Sequence, residues 1–310
     1  MTGRFAALTT VLQMREPVAT NAGRPGCKTW RAGTIAHMTA PEDVYTHGHV
    51  ESVLRSHRWR TAENSAGYLM PRIHEESRIL DVGCGPATIT LDLARLASAG
   101  SVVGLDRSEA VIREARAAAE QTNVTNLELT VGDVYSLDYE PGTFDVVHAH
   151  QVLQHLSDPV AALREMSRVC EPDGLIAVRD SDYSGFTWYP AVPEIDDWLA
   201  LSREVAHGNG AEPDAGRRLK GWALAAELDV VASTAGVWCF SSPDDVAWWG
   251  GMWAERVVGS GMAEQAIERG LSSAEDLERL AQGWRHWAAS PDAWFAVLHG
   301  ELLCSPRTVA

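Results

Sequence analysis

The residues best equipped for chemistry stand at the ends of short apolar runs. The run Arg78 to Val82 contains Asp81 and leads into Gly83-Cys84-Gly85, so two glycines fall where a strand gives way to a helix. Glycines at such a turn let a ligand approach the backbone where a side chain would collide. A second run, Ser101 to Leu105, ends in Asp106, about 20 residues past the turn, where nucleotide-binding sheets place a ribose-binding carboxylate. A carboxylate there can accept from both ribose hydroxyls, and hydrogen bonds to a charged group contribute roughly 1.5–3 kcal/mol. Asp106 can also be read as the N-cap of the helix Glu109 to Glu120, which opens with Ser108; the two roles are compatible. A third run, Leu127 to Val131, leads into Gly132-Asp133-Val134, and a fourth, Phe144 to Ala149, ends in His150-Gln151. His150, with a side chain that titrates near neutrality, is the first candidate general base. Asp182, past the fifth run Leu175 to Val178, is the second, and His155 the third. A histidine at a strand end can equally well orient or pack.

These positions need a scaffold that brings strand ends together. Between the runs lie amphipathic stretches, Ile89 to Ala97, Glu109 to Glu120, Val152 to His155 and Val160 to Val169. Strands that alternate with helices in this way give a doubly wound parallel α/β sheet, whose ligands sit beyond the carboxyl ends of its strands.

The stretch Ile79 to Asp182 resembles the cofactor-binding core of class I S-adenosylmethionine (SAM)-dependent methyltransferases, closest to the small-molecule enzymes of ubiquinone and menaquinone biosynthesis. The phrases LDVGCGPAT, VVGLDRSEAVIREAR, GDV, FDVVHAHQVLQHLSDP and REMSRVCEPDG follow the family's order and spacing. The resemblance implies a seven-stranded, mainly parallel, Rossmann-like sheet with a helical cap over the substrate site. It also implies SAM as cofactor and a small-molecule methyl acceptor. Within it, Gly83 and Gly85 lie near the methionine part, Asp106 at the ribose, Asp133 with Val134 at the adenine, and Ala149 with His150 at the methionine end. Asp81, Cys84 and Arg107 complete the cofactor set. Tyr45, His47, His49 or Arg58, in the segment before the core, are candidates for the methionine carboxylate. The third glycine of a dinucleotide fingerprint is missing, since Ala87 or Thr88 stands there.

Composition narrows the class further. A formal net charge of −16 opposes a general nucleic-acid or anionic-membrane surface. Five scattered cysteines show no zinc spacing and read as reduced, mostly buried thiols, and no metal site is expected. No apolar run is long enough to cross a bilayer. Together these point to a cytoplasmic enzyme, monomeric or homodimeric. A nicotinamide dehydrogenase would want Tyr-x-x-x-Lys, a serine hydrolase Gly-x-Ser-x-Gly and a P-loop enzyme Gly-Lys-Ser/Thr; all are absent. A non-catalytic SAM-binding regulator is the first alternative, and a nicotinamide-dependent oxidoreductase the second.

The chain divides accordingly. Residues 1–37 lack core-forming periodicity and read as a disordered extension or an upstream start ahead of Met38, with a transit peptide as a third reading. Residues 38–75 supply N-terminal cap helices, 76–185 the core, 186–215 a cap insertion, and 216–310 the last strands with an inserted helical cap. Val230 to Phe240 reads as the sixth strand region, and Ser242-Pro243 as a helix start. Helices follow over 248–258, 262–269 and 273–287. Trp294 to Cys304 fits an antiparallel seventh strand, with a helix as the alternative. Ten of the twelve tryptophans lie after residue 185; two or three are expected to line a pocket and the rest to pack the cap.

Overall fold

The computed structural model describes residues 51–307 together with Asp43, Tyr45, Thr46 and Gly48. The expectations for residues 1–37, His47 and His49 lie outside the described residues.

The helices α1 (Glu51–Arg58) and α2 (Ala62–Ser65) precede the sheet, and Thr61 closes a capping box at the start of α2. Then β1 (Arg78–Val82), α3 (Thr88–Leu96), β2 (Ser101–Asp106), α4 (Glu109–Ala119), β3 (Leu127–Val131) and β4 (Phe144–His150) alternate as expected. The chain continues through α5 (Pro159–Val169), β5 (Cys170–Ser181), β6 (Thr187–Tyr189), α6 (Pro193–Gly208) and α7 (Leu219–Ala225). It ends with β7 (Asp229–Phe240), α8 (Pro243–Gly259), α9 (Gly261–Glu268), α10 (Ala274–Ala288) and β8 (Trp294–Ser305).

β1 lies parallel between β2 and β4, with Ile79 opposite both Val102 and Val146. β3 continues the sheet beyond β2, and β5 beyond β4. β8 runs antiparallel to β5 on one edge and to β7 along its other edge. The sheet has eight strands, one more than expected. The addition is β6, three residues that continue the β5 side of β8 through Thr187–Ala296 pairing. The expected helical stretch Val152 to His155 is shorter than read, one 3₁₀ turn over Leu153–His155. A further 3₁₀ turn, Ala215–Arg217, precedes α7.

The parallel register decides where the site lies. Val82 stands opposite Leu105 and Ala149, and His150 opposite Arg179, so the residues after these four strands emerge along one rim. Alternation along β1 feeds two cores. Leu80 and Val82 pack with Leu163 and Met166 of α5, while Ile79 packs with Leu93 of α3 and Leu69. A third core belongs to the cap: Trp198, Trp249, Trp253, Trp284 and Trp287 bury against Phe240 and Phe295. Ser242 caps α8 ahead of Pro243, and Ser273 caps α10.

Of the cysteines described, Cys84, Cys170 and Cys304 are buried as expected, whereas Cys239 on the outer strand β7 is exposed. No helix among the described residues is long and apolar enough to cross a membrane.

Candidate active site

A cavity of about 480 Å³ opens along the rim and reaches under the cap. Its sheet side is formed by the turn after β1. Gly83 and Gly85 both have positive φ, 67° and 56°, which β-carbon sterics penalise in other residues. A Cβ on Gly83 would sit 2.4 Å from Val152 Cγ2, whereas one on Gly85 would meet nothing closer than His57 Nδ1 at 3.9 Å. The bare backbone at Gly85 therefore leaves room along the loop for a ligand, as a SAM site requires. Asp106 ties this loop to the next strand. Its Oδ2 accepts the Gly85 N–H (3.1 Å) and its Oδ1 the Ser108 N–H (2.9 Å). The helix cap on α4 is Ser108, whose hydroxyl accepts the Val111 N–H, so Asp106 does not cap that helix.

Asp81, Cys84, Arg107, Asp133 and Val134 also line the cavity. Asp81 is buried and its carboxylate is committed inward, to His148 Nδ1 (2.7 Å) and the Thr90 hydroxyl (2.6 Å). It braces the loop through those partners. Ala149 is fully buried in the core beneath the sheet and does not line the cavity, because alternation along β4 turns it away from His150.

His150 faces the cavity with neither ring nitrogen hydrogen-bonded among the described residues. Burial, reinforced by Arg179 and Arg60, holds its pKa well below the ordinary histidine range, so the ring is neutral. His155 lines the cavity too; burial and then Arg60 lower it to about 3, and its ring meets Tyr45 edge-on at 4.7 Å. The Tyr45 hydroxyl bonds His57 Nε2 at 3.2 Å, and burial raises its pKa.

Asp182 stands elsewhere. Its carboxylate is clamped by the Arg217 guanidinium (Nε to Oδ2, 2.6 Å) and backbone N–H, and it is not among the cavity's lining residues. Held by Arg217 away from the cavity, the carboxylate is not placed to meet an acceptor bound there, which argues against its reading as a base. Arg58, a candidate for the methionine carboxylate, pairs with Glu114 at 2.7 Å.

The cap side is aromatic. Trp59, Tyr183, Phe186, Trp238, Trp248, Trp249 and Trp253 line it, so four of the ten late tryptophans face the cavity, one or two more than expected. Three further residues went unnoticed in the sequence: Arg60, Gln151 and Arg256, all cavity-lining. Gln151 adopts φ 54°, which turns its side chain between two partners. Its Oε1 accepts from Arg60 Nη2 (2.6 Å), and its amide N lies 2.8 Å from His299 Nε2. His299 Nδ1 faces the Val297 carbonyl at 3.1 Å, which makes Nε2 the acceptor. A non-glycine residue in this conformation directly after a strand was a signal only coordinates could give.

The chain is similar to known methyltransferases. A family model described as a methyltransferase domain matches residues 73–220. Over 276 residues the chain is 32% identical to an uncharacterized methyltransferase of Schizosaccharomyces pombe, covering 86% of this chain and 98% of that protein. The ubiquinone biosynthesis O-methyltransferase of Neisseria meningitidis is 36% identical over 100 residues, 32% of this chain and 42% of that one. The solved YcgJ protein from Bacillus subtilis shares the fold, with a TM-score of 0.51 at 18% identity over 79% of this chain and 100% of that chain.

Proposed function

We propose that this chain, which belongs to the class I SAM-dependent methyltransferases, methylates a small, largely apolar or aromatic acceptor held under its cap. The observation that carries the reading is one continuous cavity with a glycine-and-carboxylate side and an aromatic side. Its volume lies in the range of roughly 300–1,000 Å³ usual for small-molecule sites.

SAM supplies an electrophilic methyl group, already activated on a sulfonium. The protein's own share is alignment and exclusion of water. Gly83 and Gly85 let the cofactor lie against the backbone, Asp106 accepts from the ribose, and Asp133 and Val134 border the adenine position. The indole walls keep water from the reacting atoms. Methyl transfer would leave the cofactor's sulfur as a neutral thioether, so this chain's task would be to hold the acceptor's attacking atom toward the methyl group within the cavity. We assign His150 to receive the acceptor's proton. As a neutral imidazole of depressed pKa it is a weak base, so the proton moves as bond formation acidifies the acceptor.

The test is transfer of label from methyl-tritiated SAM in cell extract fractions. Radioactivity in small, solvent-extractable products is expected. Label confined to protein or nucleic acid overturns the small-acceptor reading. His150→Ala should lower turnover by roughly 100-fold with S-adenosylhomocysteine affinity retained.

A further inference from the structure

Arg60 follows α1 and lines the cavity together with Gln151, the residue after β4. Its Nη2 donates to Gln151 Oε1 (2.6 Å), and its guanidinium lies 5.7 Å from the Trp238 ring. Its Nε is buried without a hydrogen-bond partner among the described residues. Burial lowers its pKa to about 10, and no carboxylate is among the described groups that act on it most strongly. By contrast, Arg179 meets Glu301 at 3.2 Å and Arg203 meets Asp214 at 2.7 Å. A desolvated cation held by a neutral amide is costly, and an anion brought by a ligand offsets that cost.

The amide that holds Arg60 is itself fixed. Gln151 adopts φ 54°, its backbone N–H donates to the Arg179 carbonyl (2.7 Å), and its side-chain N lies 2.8 Å from His299 Nε2. Because His299 Nδ1 faces the Val297 carbonyl at 3.1 Å, Nε2 is an acceptor and the Gln151 amide donates to it. A flipped amide would turn its NH2 against the guanidinium. Glutamate could not replace this glutamine, since a carboxylate has no proton for His299 and would neutralise Arg60 within the protein. Left-handed residues other than glycine are uncommon, and such positions gather at ligand sites.

The glycine turn gives the site a direction. Asp106 is tied to Gly85 at one end of the turn, and Gly83 lies against Val152, the residue after Gln151, at the other. A cofactor whose ribose rests at Asp106 extends its amino-acid part away from the ribose, toward the end where Gln151 and Arg60 stand. Arg58 pairs with Glu114 instead and is not among the lining residues.

We propose that Arg60 binds the carboxylate of the cofactor's methionine part, and that Gln151 is the positioning residue that presents the guanidinium to it. Guanidinium carries five N–H donors, so the bond to Gln151 leaves others for a carboxylate. The neutral amide orients the group and leaves its charge intact. This inference rests on the reading of the cavity as a methyltransferase site.

The experiment is calorimetric titration with S-adenosylhomocysteine and with its decarboxylated analogue, which keeps the ammonium and lacks only the carboxylate. The wild type should bind S-adenosylhomocysteine roughly 10- to 100-fold more tightly than the analogue. Arg60→Met should abolish that preference without weakening binding of the analogue, and Arg60→Lys should keep part of it. Gln151→Glu should reduce the preference by occupying Arg60, and Gln151→Ala by releasing it. No preference in the wild type, or one unchanged in Arg60→Met, overturns the proposal. A preference unchanged in both Gln151 variants overturns the positioning role. Should Arg60→Met fail to fold, a preference unchanged in both Arg60→Lys and Gln151→Glu overturns the proposal in its place. Benzoate, added to S-adenosylhomocysteine-saturated protein, is the third probe. If Arg60→Met abolishes benzoate binding and leaves the cofactor preference intact, the anion belongs to the acceptor and the assignment falls. If neither S-adenosylhomocysteine nor the analogue binds the wild type, the methyltransferase reading falls instead.

Discussion

On the sheet side of the cavity, Gly83, Gly85, Asp106 and Asp133 each stand at or just beyond the end of a parallel strand. On the cap side, Trp59, Tyr183, Trp238, Trp253 and Arg256 come from stretches of chain far apart in sequence. The first group works through backbone geometry and a braced carboxylate, the second through mutual burial of large rings. A site made from strand ends is encoded locally, whereas an aromatic pocket made by helix packing draws on residues spread along the chain.

Trp284→Ala strikes that contrast hardest. Trp284 is fully buried, edge-on to Trp198 at 4.9 Å and stacked with Trp253 at 5.8 Å. Its removal should cost about 3–5 kcal/mol in denaturant unfolding. If the two sides are separable, the folded fraction will bind S-adenosylhomocysteine with normal affinity, and a parallel loss would show the cap to be part of the cofactor site.

Asp180, at the end of β5, probes the seam between sheet and cap through pH. It is fully buried; Oδ1 accepts the Gln154 N–H (3.1 Å), Oδ2 has no partner among the described residues, and burial raises the carboxyl to about 7. A folded-state pKa above the unfolded value means stability is lost as pH rises from the ordinary carboxylate range through about 7. Asp180→Asn should therefore raise the melting temperature at pH 8, keep a smaller part of that advantage at pH 5 and lose most of it by pH 4. The slope is about 1.4 kcal/mol per pH unit within the window. The depressed histidines act with the opposite sign. His150 and His155 are neutral in the fold, so acidification below about 6.5 charges the unfolded chain first and stability falls. Equal gains from Asp180→Asn at pH 8 and pH 4 would mean the carboxyl is not raised.

A smaller effect is expected from Asp106→Ala, which removes two loop anchors and the proposed ribose acceptor. Cofactor affinity should weaken roughly 10- to 100-fold, equivalent to about 1.4–2.8 kcal/mol, with little change in unfolding. An unchanged dissociation constant in the folded variant would confine Asp106 to bracing the loop.

Legibility in the sequence followed the same division. The strands β1 to β5, the glycine turn and Asp106 could be read because contiguous apolar runs and fixed spacings encode them locally. The antiparallel β8 was expected only because the resemblance implies such a strand, its residues fitting a helix as well, and three-residue β6 was not expected, since so short a strand has no periodicity. Asp182 faces Arg217, 35 residues away, and in a sequence a strand-end carboxylate looks the same whether it faces a ligand or an arginine. Ala149 turns its side chain away from the cavity by one step of strand alternation. Arg60, Gln151 and Arg256 carried no local pattern at all; they matter because packing from distant segments brings them into one space.

The position of β8 has a consequence for how the molecule is made. It lies between β5 and β7 and pairs with both, yet it follows every other described strand in the chain. Until it leaves the ribosome, β5 and β7 each present an unpaired edge, and the helices α8 to α10 are tethered on one side only. Such edges are templates for wrong pairing with other chains. The nascent protein thus passes through a vulnerable interval that ends only when its final strand slots into the gap, an event that joins both parts of the sheet and fastens down the cap at once.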